Sequence, residues 1–378
     1  MTRYGLENTE ALRSTLKGRR VGLVTNPTGL DSCFRRSVDL VAEVAPVYCL
    51  FGPEHGVDGG AQAGDKVANH HDRRTGLPVY SLYGEHRRPT AEMLADLEVL
   101  VFDMQDVGLR WYTYPWTLSY VIEACLEAQL PLVVLDRPNP LGGATVEGLL
   151  LDDDCRSFVG RFPVVARHGL TLGELARHLV RVYFPGTDLS VIPCQNWDAT
   201  QSWPLTGLPW VAPSPNLPTF ESVQAYTATA FLEGTTLSEG RGTTRPFGQF
   251  GAPWLDHEAL STTMMNLSLP GLLWRPTFFT PTFSKFAGQV CRGVSLHVTN
   301  PEAPLFEAGV HLHHALMGLH PEYQPIPPWK EGSQPPLALL WGTRQILQPT
   351  NAQELLSRAQ KDCLDWNAQR QPDLLYGR

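Results

Sequence analysis

The stretch EVLVFDMQDVGLRWYTYPWTLSYVIEACLEAQLPLVVLD, residues 98 to 136, decides the fold class. It begins and ends with short runs that are mainly apolar, EVLVFD at 98 to 103 and LPLVVLD at 130 to 136. Between these runs, TLSYVIEACLEAQ at 117 to 129 has the spacing of a helix. Two apolar strands joined by a helix are typical of a parallel sheet that is covered on both faces. The stretch therefore predicts a β-α-β unit.

The same alternation extends along the chain in both directions. The helical pattern at 171 to 184 opens with a capping box, because Thr171 is followed three residues later by Glu174. Repeated β/α alternation predicts an α/β fold with a Rossmann-like, doubly wound parallel sheet. Strand-like runs occupy 19 to 26, 46 to 51, 77 to 83 and 189 to 194, and further helical patterns occupy 35 to 44 and 90 to 97.

The length of the chain and one proline-dense segment predict two domains. A chain of 378 residues exceeds what one hydrophobic core usually supports. The segment WPLTGLPWVAPSPNLPTF, at 203 to 220, interrupts the β/α alternation, which is sparser beyond it. We therefore expect a Rossmann-like catalytic domain at 1–220 and a smaller, mixed α/β auxiliary domain at 221–378 that contributes to the cleft.

Composition narrows the class of partner and the compartment. The formal net charge is −8, and the basic residues are scattered, which argues against nucleic acid or an anionic membrane as a partner. The seven cysteines are widely spaced without a C-x-x-C pair, so neither a disulfide framework nor a zinc knuckle is predicted. The N-terminus lacks the apolar segment of a signal peptide, and we expect a cytoplasmic protein unless a leader was removed. No transmembrane segment is predicted, and the oligomeric state stays open.

Polar side chains follow each of the first five long strands of the predicted sheet. One such residue alone is explained by a helix cap or a turn. Five consecutive strand ends with polar groups favour a binding site, because ligands of open α/β sheets bind at the carboxyl ends of the strands. The residues at these ends are Asn26; Glu54 and His55; Tyr83 and Glu85; Asp103, Gln105 and Asp106; and Asp136, Arg137 and Asn139.

The loops at these strand ends favour a sugar as the ligand. The turn after the first strand reads TNPTG, and neither a dinucleotide fingerprint nor a P-loop occurs in the chain, so no nucleotide cofactor is expected. The run LRWYTYPW, at 109 to 116, places Arg110 beside Tyr112, Tyr114 and two tryptophans. Flat aromatic faces beside directional polar groups suit a sugar ring. A place in the core or at an interface is the alternative for the tryptophans.

Metal and serine chemistry are not favoured by the motifs. His70, His71 and Asp72 are adjacent, and HLHH occupies 311 to 314, but neither group has H-E-x-x-H spacing. A solvated surface is the favoured interpretation of both groups. The G-x-S-x-G motif of a serine hydrolase is absent from the sequence. We therefore predict no metal.

Several long motifs resemble those of a known family. The chain is similar, over nearly its whole length, to the bacterial exo-β-N-acetylmuramidases of glycoside hydrolase family 171. The resemblance implies a Rossmann-like domain with a C-terminal auxiliary domain, and release of N-acetylmuramic acid from the non-reducing end of peptidoglycan fragments such as muropeptides. It also implies that Glu54, with His55, belongs to the catalytic centre. The motifs are FGPEHG, VFDMQDVGLRWYTYPWTL, LDRPNPLGGATVEG, FLEGTTLSEGRGTTRPFGQFGAPW and FTPTFSKFAGQVCRGVSLHVTN.

The chemistry of glycoside cleavage supports the same residues. One carboxyl group usually protonates the leaving oxygen, while a second group meets the positive charge at the anomeric carbon. Glu54 is the predicted proton donor, and His55 is placed to orient or relay that proton. Glu239, in SEGRGT, is the leading second carboxylate. Asp103, Asp106 and the acetamido oxygen of the substrate itself stay open as alternatives.

The lactyl carboxylate of N-acetylmuramic acid requires a cation for its recognition. Arginine offers a bidentate fork to a carboxylate, so Arg110, Arg137, Arg241 and Arg245 are candidates. Arg241 ranks first because glycines flank it and allow close approach. The full set of predicted substrate-binding residues is Asn26, Asp103, Gln105, Arg110, Tyr112, Tyr114, Asp136, Arg137, Asn139, Arg241 and Arg245.

Two other classes of function stay open from the sequence. A cell-wall sugar receptor would keep the aromatic and arginine residues without catalysis. An amidase or esterase acting on wall fragments would usually need a metal or a nucleophilic serine or cysteine. The leading hypothesis is an exo-acting glycosidase that needs no cofactor.

Overall fold

The computed structural model of the chain describes residues 1–60, 68–348 and 351–378. Its strands form two sheets, one of seven strands and one of three strands. The large sheet belongs to the N-terminal part of the chain, and the small sheet belongs to the C-terminal part.

The large sheet has the topology of a doubly wound α/β domain. Its strand order is β3-β4-β2-β1-β5-β6-β7, and all neighbouring strands are parallel except the edge pair β3 and β4. Strands β1, β5 and β6 are buried at every position, which explains why their sequences are almost wholly apolar. The strands are β1 (Val21–Thr25), β2 (Val47–Gly52), β3 (His70–His71), β4 (Pro78–Ser81), β5 (Val99–Asp103), β6 (Leu132–Leu135) and β7 (Leu189–Ile192).

Helices connect these strands and cover the sheet. The chain moves from β1 to β2 in one direction and from β5 through β6 to β7 in the other, so right-handed crossovers place their helices on opposite faces. The predicted capping box is confirmed, because the Glu174 amide donates to Thr171 Oγ1 at 3.1 Å and the Thr171 amide donates to Glu174 Oε2 at 3.0 Å. The helices are α1 (Thr9–Leu16), α2 (Ser37–Ala42), α3 (Ala91–Leu94), α4 (Tyr114–Ala128), α5 (Leu172–Val182) and α6 (Trp203–Thr206).

The C-terminal part is a smaller, mixed structure. Its antiparallel sheet has the order β8-β10-β9, and helices pack against β9 and β10. The prediction of an α/β fold with a Rossmann-like parallel sheet and a smaller mixed domain is therefore confirmed. The elements are α7 (Phe220–Thr229), β8 (Gln249–Ala252), α8 (His257–Asn266), β9 (Leu272–Phe279), β10 (Cys291–Val298), α9 (Leu305–Leu319), α10 (Pro336–Trp341) and α11 (Ala352–Arg370).

The last helix and the tail return to the large sheet. In α11, Trp366 Nε1 donates to the carbonyl of His168 at 2.9 Å. Beyond α11, the Tyr376 hydroxyl donates to the carboxylate of Asp136 at 2.5 Å. One hydrophobic core includes buried residues from both sheets and from Trp366, so the two parts of the chain are packed together. Within the described ranges, no helix has the length and apolarity to cross a bilayer.

Candidate active site

The candidate site lies where the strand order reverses in the large sheet. Strands β1 and β5 are neighbours, and the chain leaves them toward opposite sides of the sheet. The crevice at such a switch point is where open α/β sheets bind ligands. Asn26 follows β1, Gln105 and Asp106 come shortly after β5, and Glu54 follows the adjacent β2.

Glu54 is presented by a tight turn at the end of β2. The Gly56 amide donates to the Pro53 carbonyl at 2.9 Å, which closes the turn. His55 and Gly56 both have left-handed backbone conformations, with φ of 72° and 75°. For a residue with a side chain, such as His55, this conformation costs about 1 kcal/mol, and strain of this kind collects at functional sites. His55 is buried, whereas the Glu54 side chain is half-buried.

Hydroxyl groups of the first domain surround the Glu54 carboxylate. The Thr113 hydroxyl donates to Glu54 Oε2 at 2.8 Å. The Tyr83 hydroxyl also bonds to Glu54, and burial together with this carboxylate raises the pKa of Tyr83. Glu54 is therefore held in one orientation by groups that remain protonated.

Tyr112 and Tyr114 place a second pair of hydroxyls near this carboxylate. Their rings meet edge to face with centroids 4.7 Å apart, and the Tyr114 hydroxyl donates to the Pro213 carbonyl at 2.7 Å. Burial raises the pKa of both tyrosines, and the negative charges of Glu54 and Asp106 add to each shift. Glu54 and Asp106 therefore act on the same two hydroxyls and belong to one region of the molecule.

Tyr226 of α7 brings the C-terminal part of the chain into the same region. The Tyr226 ring meets the Trp111 ring edge-on, with centroids 6.2 Å apart, and packs on Phe247 at 4.4 Å. Burial raises the pKa of Tyr226, and the charges of Glu233 and Glu54 raise it further. Tyr226 thus joins the Glu54 side of the first domain to the acidic and basic side chains of the second domain.

Glu239 lies in an ion-pair network of the second domain. It is 2% exposed, and its Oε2 is 2.9 Å from Lys285 Nζ while its Oε1 is 3.3 Å from Arg241 Nε. Lys285 also donates to three backbone carbonyls of the segment 232–237. Both oxygens of Glu239 are thus engaged by cations, which supports a structural role. A catalytic role for Glu239 stays a prediction.

Arg241 is bound by a second acid that the sequence reasoning missed. Glu233 accepts from Arg241 Nε at 3.1 Å and forms a shorter contact with Nη2 of the same guanidinium. Burial raises the pKa of the Glu233 carboxyl, although the nearby Arg241 charge opposes that shift. The signal available in the sequence was an acid eight residues before Arg241 inside the motif FLEGTTLSEGRGTTRPFGQFGAPW. Arg241 and Glu233 therefore neutralise each other.

Several of the predicted binding residues hold the loops of the strand ends. Asp103 is fully buried and accepts from Arg137 Nε at 2.6 Å and from Arg137 Nη2 at 2.9 Å. The Tyr4 ring stacks on the Arg137 guanidinium at 4.3 Å. Asn139 donates to the Leu170 carbonyl at 2.9 Å. Asp103, Arg137 and Asn139 therefore hold the loops of the site in place, and a direct role in binding stays a prediction for all three.

Asp136 anchors the start of α5 to the tail of the chain. It accepts hydrogen bonds from the Gly173 amide, the Thr171 hydroxyl and the Tyr376 hydroxyl. Burial raises the pKa of Asp136 to about 6, although these hydrogen bonds oppose the shift. Asp136 is thus a buried junction between three segments.

Arg110 joins the two domains instead of facing the cleft. It is fully buried, and its guanidinium donates to the carbonyls of Leu149 and Val164 and, at 2.9 Å, to that of Leu340 in α10. Burial lowers the pKa of Arg110 to about 10. The guanidinium is therefore committed to backbone carbonyls, which supports a structural role over the predicted role in binding.

Some buried polar atoms at the switch point are left without hydrogen bonds. Asn26 Oδ1 accepts from the Thr28 amide at 2.9 Å, while Gln105 Nε2 donates to the carbonyls of Asp106 and Pro138 at 2.8 Å. Within the described residues, Asn26 Nδ2, Gln105 Oε1 and Asp106 Oδ1 have no hydrogen-bond partner. Buried polar atoms are usually satisfied, so this group suits a polar ligand.

The two histidine-rich segments are not gathered into a metal site. In α9, His313 is 2% exposed and its Nδ1 lies 2.8 Å from the Tyr323 hydroxyl, so the solvated-surface interpretation is wrong for this residue. Asp72 is also buried, and it pairs with Arg36 at 3.0 Å. In the part of the chain that the structure describes, no three His, Cys, Asp or Glu side chains form a group suited to a metal.

Two family models together match nearly the whole chain. The model described as exo-beta-N-acetylmuramidase NamZ, N-terminal, matches residues 21–221. The model described as exo-beta-N-acetylmuramidase NamZ, C-terminal, matches residues 224–376.

Relatives of known sequence or structure support the same family. The chain is 47% identical over 315 residues to the peptidoglycan beta-N-acetylmuramidase NamZ of Bacillus subtilis strain 168, covering 82% of this chain and 76% of that protein. A crystal structure of a DUF1343 family protein from Bacteroides fragilis NCTC 9343 superposes with a TM-score of 0.90 at 34% identity, covering 99% of each chain. A second protein of that family and organism gives a TM-score of 0.79 at 31% identity, covering 100% of this chain and 99% of the other.

Proposed function

Because the chain belongs to the exo-β-N-acetylmuramidase NamZ family, we propose that it releases N-acetylmuramic acid from the non-reducing end of peptidoglycan fragments. The substrates are muropeptides and the disaccharide in which N-acetylmuramic acid is linked to N-acetylglucosamine. The reaction is the hydrolysis of a glycosidic bond. A cytoplasmic location, as expected from the sequence, is part of this proposal.

The placement of Glu54 is the observation that carries the proposal. Its carboxyl group is half-buried on a strained turn and is oriented by the Thr113 and Tyr83 hydroxyls. In this role the Glu54 carboxyl gives its proton to the glycosidic oxygen, and the adjacent His55 fixes the turn that presents it. Fixed orientation matters because a general acid has to lie within hydrogen-bond reach of the leaving oxygen.

The cleft is built from both domains in this proposal. The domain at 1–220 supplies Glu54, Tyr112 and Tyr114, and the domain at 221–378 supplies Tyr226, which lies close enough to Glu54, Glu233 and Arg241 for their charges to shift its pKa. Tyrosine and tryptophan faces offer apolar surface to the sugar ring, and the tyrosine hydroxyls offer donors to its oxygens.

An amidase or esterase with a cysteine nucleophile is less well supported than a glycosidase. Burial raises the pKa of six of the seven thiols, which opposes formation of the reactive thiolate. The seventh thiol, Cys33, is exposed and lies in the loop between β1 and α2.

A direct assay of two disaccharides tests the proposal. The wild-type protein is incubated with MurNAc-β-1,4-GlcNAc and, separately, with GlcNAc-β-1,4-MurNAc, and the products are separated by mass spectrometry. We expect free N-acetylmuramic acid from the first disaccharide and no cleavage of the second. Binding of the first disaccharide without cleavage would indicate a sugar receptor and contradict the proposed function.

A further inference from the structure

Asp106 is a buried acid whose carboxylate is only partly satisfied by the protein. The residue is 5% exposed, and its Oδ2 accepts a hydrogen bond from the Gly108 amide at 2.8 Å. Its Oδ1 has no hydrogen-bond partner within the residues that the structure describes. Leaving a buried charged oxygen without a donor costs free energy, which a donor on a bound ligand would offset.

His168 lies beside the other oxygen of this carboxylate. The Leu170 amide donates to His168 Nδ1 at 3.2 Å, so a neutral imidazole carries its proton on Nε2. That Nε2 lies 3.5 Å from Asp106 Oδ2. The Gly108 amide therefore binds Oδ2, and the His168 imidazole lies beside the same oxygen, although its Nε2 has no hydrogen-bond partner within the described residues. Oδ1 is left for a ligand.

His168 is itself fixed by its surroundings. It is 1% exposed, its amide donates to the Gly108 carbonyl at 3.3 Å, and its carbonyl accepts from Trp366 Nε1 at 2.9 Å. The preceding residue, Arg167, forms a β-bridge with Leu109. These backbone contacts fix the position of His168 relative to the loop that carries Asp106, as expected for a residue that supports a functional site.

The competing acids have both of their oxygens engaged. Asp103 forms two hydrogen bonds with Arg137, and Glu239 is bound by Lys285 and Arg241. Asp106 therefore differs from these two acids in having one carboxylate oxygen without a protein partner.

Building on the proposed function, we infer that Asp106 is the second catalytic group and that its Oδ1 accepts the N–H of the substrate's 2-acetamido group. His168 is the positioning residue that orients the carboxylate. An acetamido N–H supplies the donor that Oδ1 lacks, and a negative charge there stabilises positive charge on the acetamido group.

The reaction then proceeds in two balanced steps. In the first step, Glu54 gives its proton to the glycosidic oxygen, the bond from C1 to that oxygen breaks, and the acetamido carbonyl oxygen bonds to C1. The resulting oxazolinium ion is positively charged and is stabilised by the Asp106 carboxylate. In the second step, water attacks C1 and gives a proton to Glu54, the bond from C1 to the acetamido oxygen breaks, and the acetamido group is restored.

Substrates with altered acyl groups test the inference. Aryl β-muramides bearing acetyl, fluoroacetyl, difluoroacetyl and trifluoroacetyl groups on the nitrogen are compared for kcat/KM. Fluorine weakens the carbonyl oxygen as a nucleophile, so we expect the wild-type rate to fall roughly 100-fold or more across the series. For Asp106→Asn we expect kcat to fall by roughly 10² to 10³ on the acetyl substrate. For His168→Asn we expect a smaller loss in kcat with KM close to that of the wild type.

A second buried histidine–aspartate pair provides the matched control. His178 Nδ1 lies 2.9 Å from Asp373 Oδ2, away from the switch point, where α5 meets the tail. Asp373→Asn is expected to lower the melting temperature and to leave kcat and the acyl-group dependence unchanged.

Three results would overturn the assignment of Asp106. The first is a kcat for Asp106→Asn equal to that of the wild type. The second is a kcat/KM that does not change across the acyl series in a wild-type enzyme that does turn over muramides. The third is a glycosyl azide product from Asp106→Ala in the presence of azide, which would indicate that Asp106 itself is the nucleophile. Absence of wild-type turnover of every muramide would instead contradict the proposed function, and the inference with it.

Discussion

At the residue scale, the four arginines predicted to bind the lactyl carboxylate differ in their existing contacts. Arg110 is bound to three backbone carbonyls, and Arg137 and Arg241 are paired with carboxylates. Arg245 is half-buried and donates to the Leu296 carbonyl at 3.3 Å, and no ion pair to it is found in the described residues. A guanidinium that is already neutralised by an acid attracts a further carboxylate less strongly. Arg245 is therefore the strongest of the four candidates.

Substitution of Arg245 and of Arg241 distinguishes a residue that recognises the lactyl carboxylate from one that supports the structure of the site. We expect Arg245→Ala to lower kcat/KM for muramides roughly 10- to 100-fold more than for glucosaminides, because a hydrogen bond to a charged group contributes about 1.5–3 kcal/mol. We expect Arg241→Ala to lower kcat/KM equally for both substrate classes, because it removes the guanidinium that pairs with Glu233 and one of the two cations that bind Glu239. The measurement is the ratio of kcat/KM values for matched aryl glycosides. A selective loss in Arg241→Ala alone would restore the first-ranked assignment from the sequence.

At the element scale, the sequence predicted best those strands whose residues are all buried. The central strands β1, β5 and β6 are buried on both faces and read as apolar runs. Strand β3 was not predicted, because two residues carry no periodicity. In helix α9, the surface interpretation of HLHH was wrong for His313, because a polar residue that is buried with a partner looks the same in sequence as an exposed one.

The buried histidine of α9 makes stability depend on pH. Burial lowers the pKa of His313 to about 3, so the imidazole is neutral in the folded protein and gains a proton more easily when the chain unfolds. The unfolded chain therefore binds more protons below about pH 6.5, and the free energy of unfolding falls as pH falls toward 3. Between pH 7 and pH 5 this residue accounts for a loss of about 2 kcal/mol.

Substitution of His313 tests that dependence by urea unfolding at pH 7 and pH 5. We expect His313→Leu to lose about 2 kcal/mol less than the wild type between the two pH values. His311→Leu, on the same helix but partly exposed, is the control and should behave as the wild type does. An unchanged pH dependence in His313→Leu would contradict the account.

At the scale of the whole molecule, the tail of the chain ties the C-terminal part to the strand ends of the large sheet. The Tyr376 hydroxyl donates to Asp136 and accepts from the Cys194 amide at 2.9 Å. These partners are separated by 240 and 182 positions in the sequence, so no local pattern could predict the contacts. The same limit hid His168, whose contacts are with Asp106 and Trp366. Glu54 was predicted from a local pattern, a turn that follows an apolar strand, and its catalytic role stays a prediction.

Removal of one hydroxyl tests the contribution of the tail. We expect Tyr376→Phe to lower the free energy of unfolding by about 1–3 kcal/mol, because it leaves a buried carboxylate and a buried amide each short of a partner. Urea unfolding at pH 7 measures the change, with Tyr48→Phe as the control because Tyr48 is 45% exposed. Equal stabilities of the two variants would show that the tail contributes little.

The central claim is that Glu54 gives the proton to the leaving group. Its most direct test is to measure kcat of a Glu54 variant on two substrates, one whose leaving group needs a proton and one whose leaving group does not. Glu54→Gln and the wild type are compared on MurNAc-β-1,4-GlcNAc, whose leaving group needs a proton, and on the 2,4-dinitrophenyl muramide, whose leaving group does not. Glu85→Gln, at an exposed position after the neighbouring strand, is the control. We predict that Glu54→Gln lowers kcat by roughly 10² to 10⁴ on the disaccharide and by less than about 10-fold on the dinitrophenyl substrate. Wild-type turnover of the disaccharide, or an equal loss on both substrates, would contradict the claim.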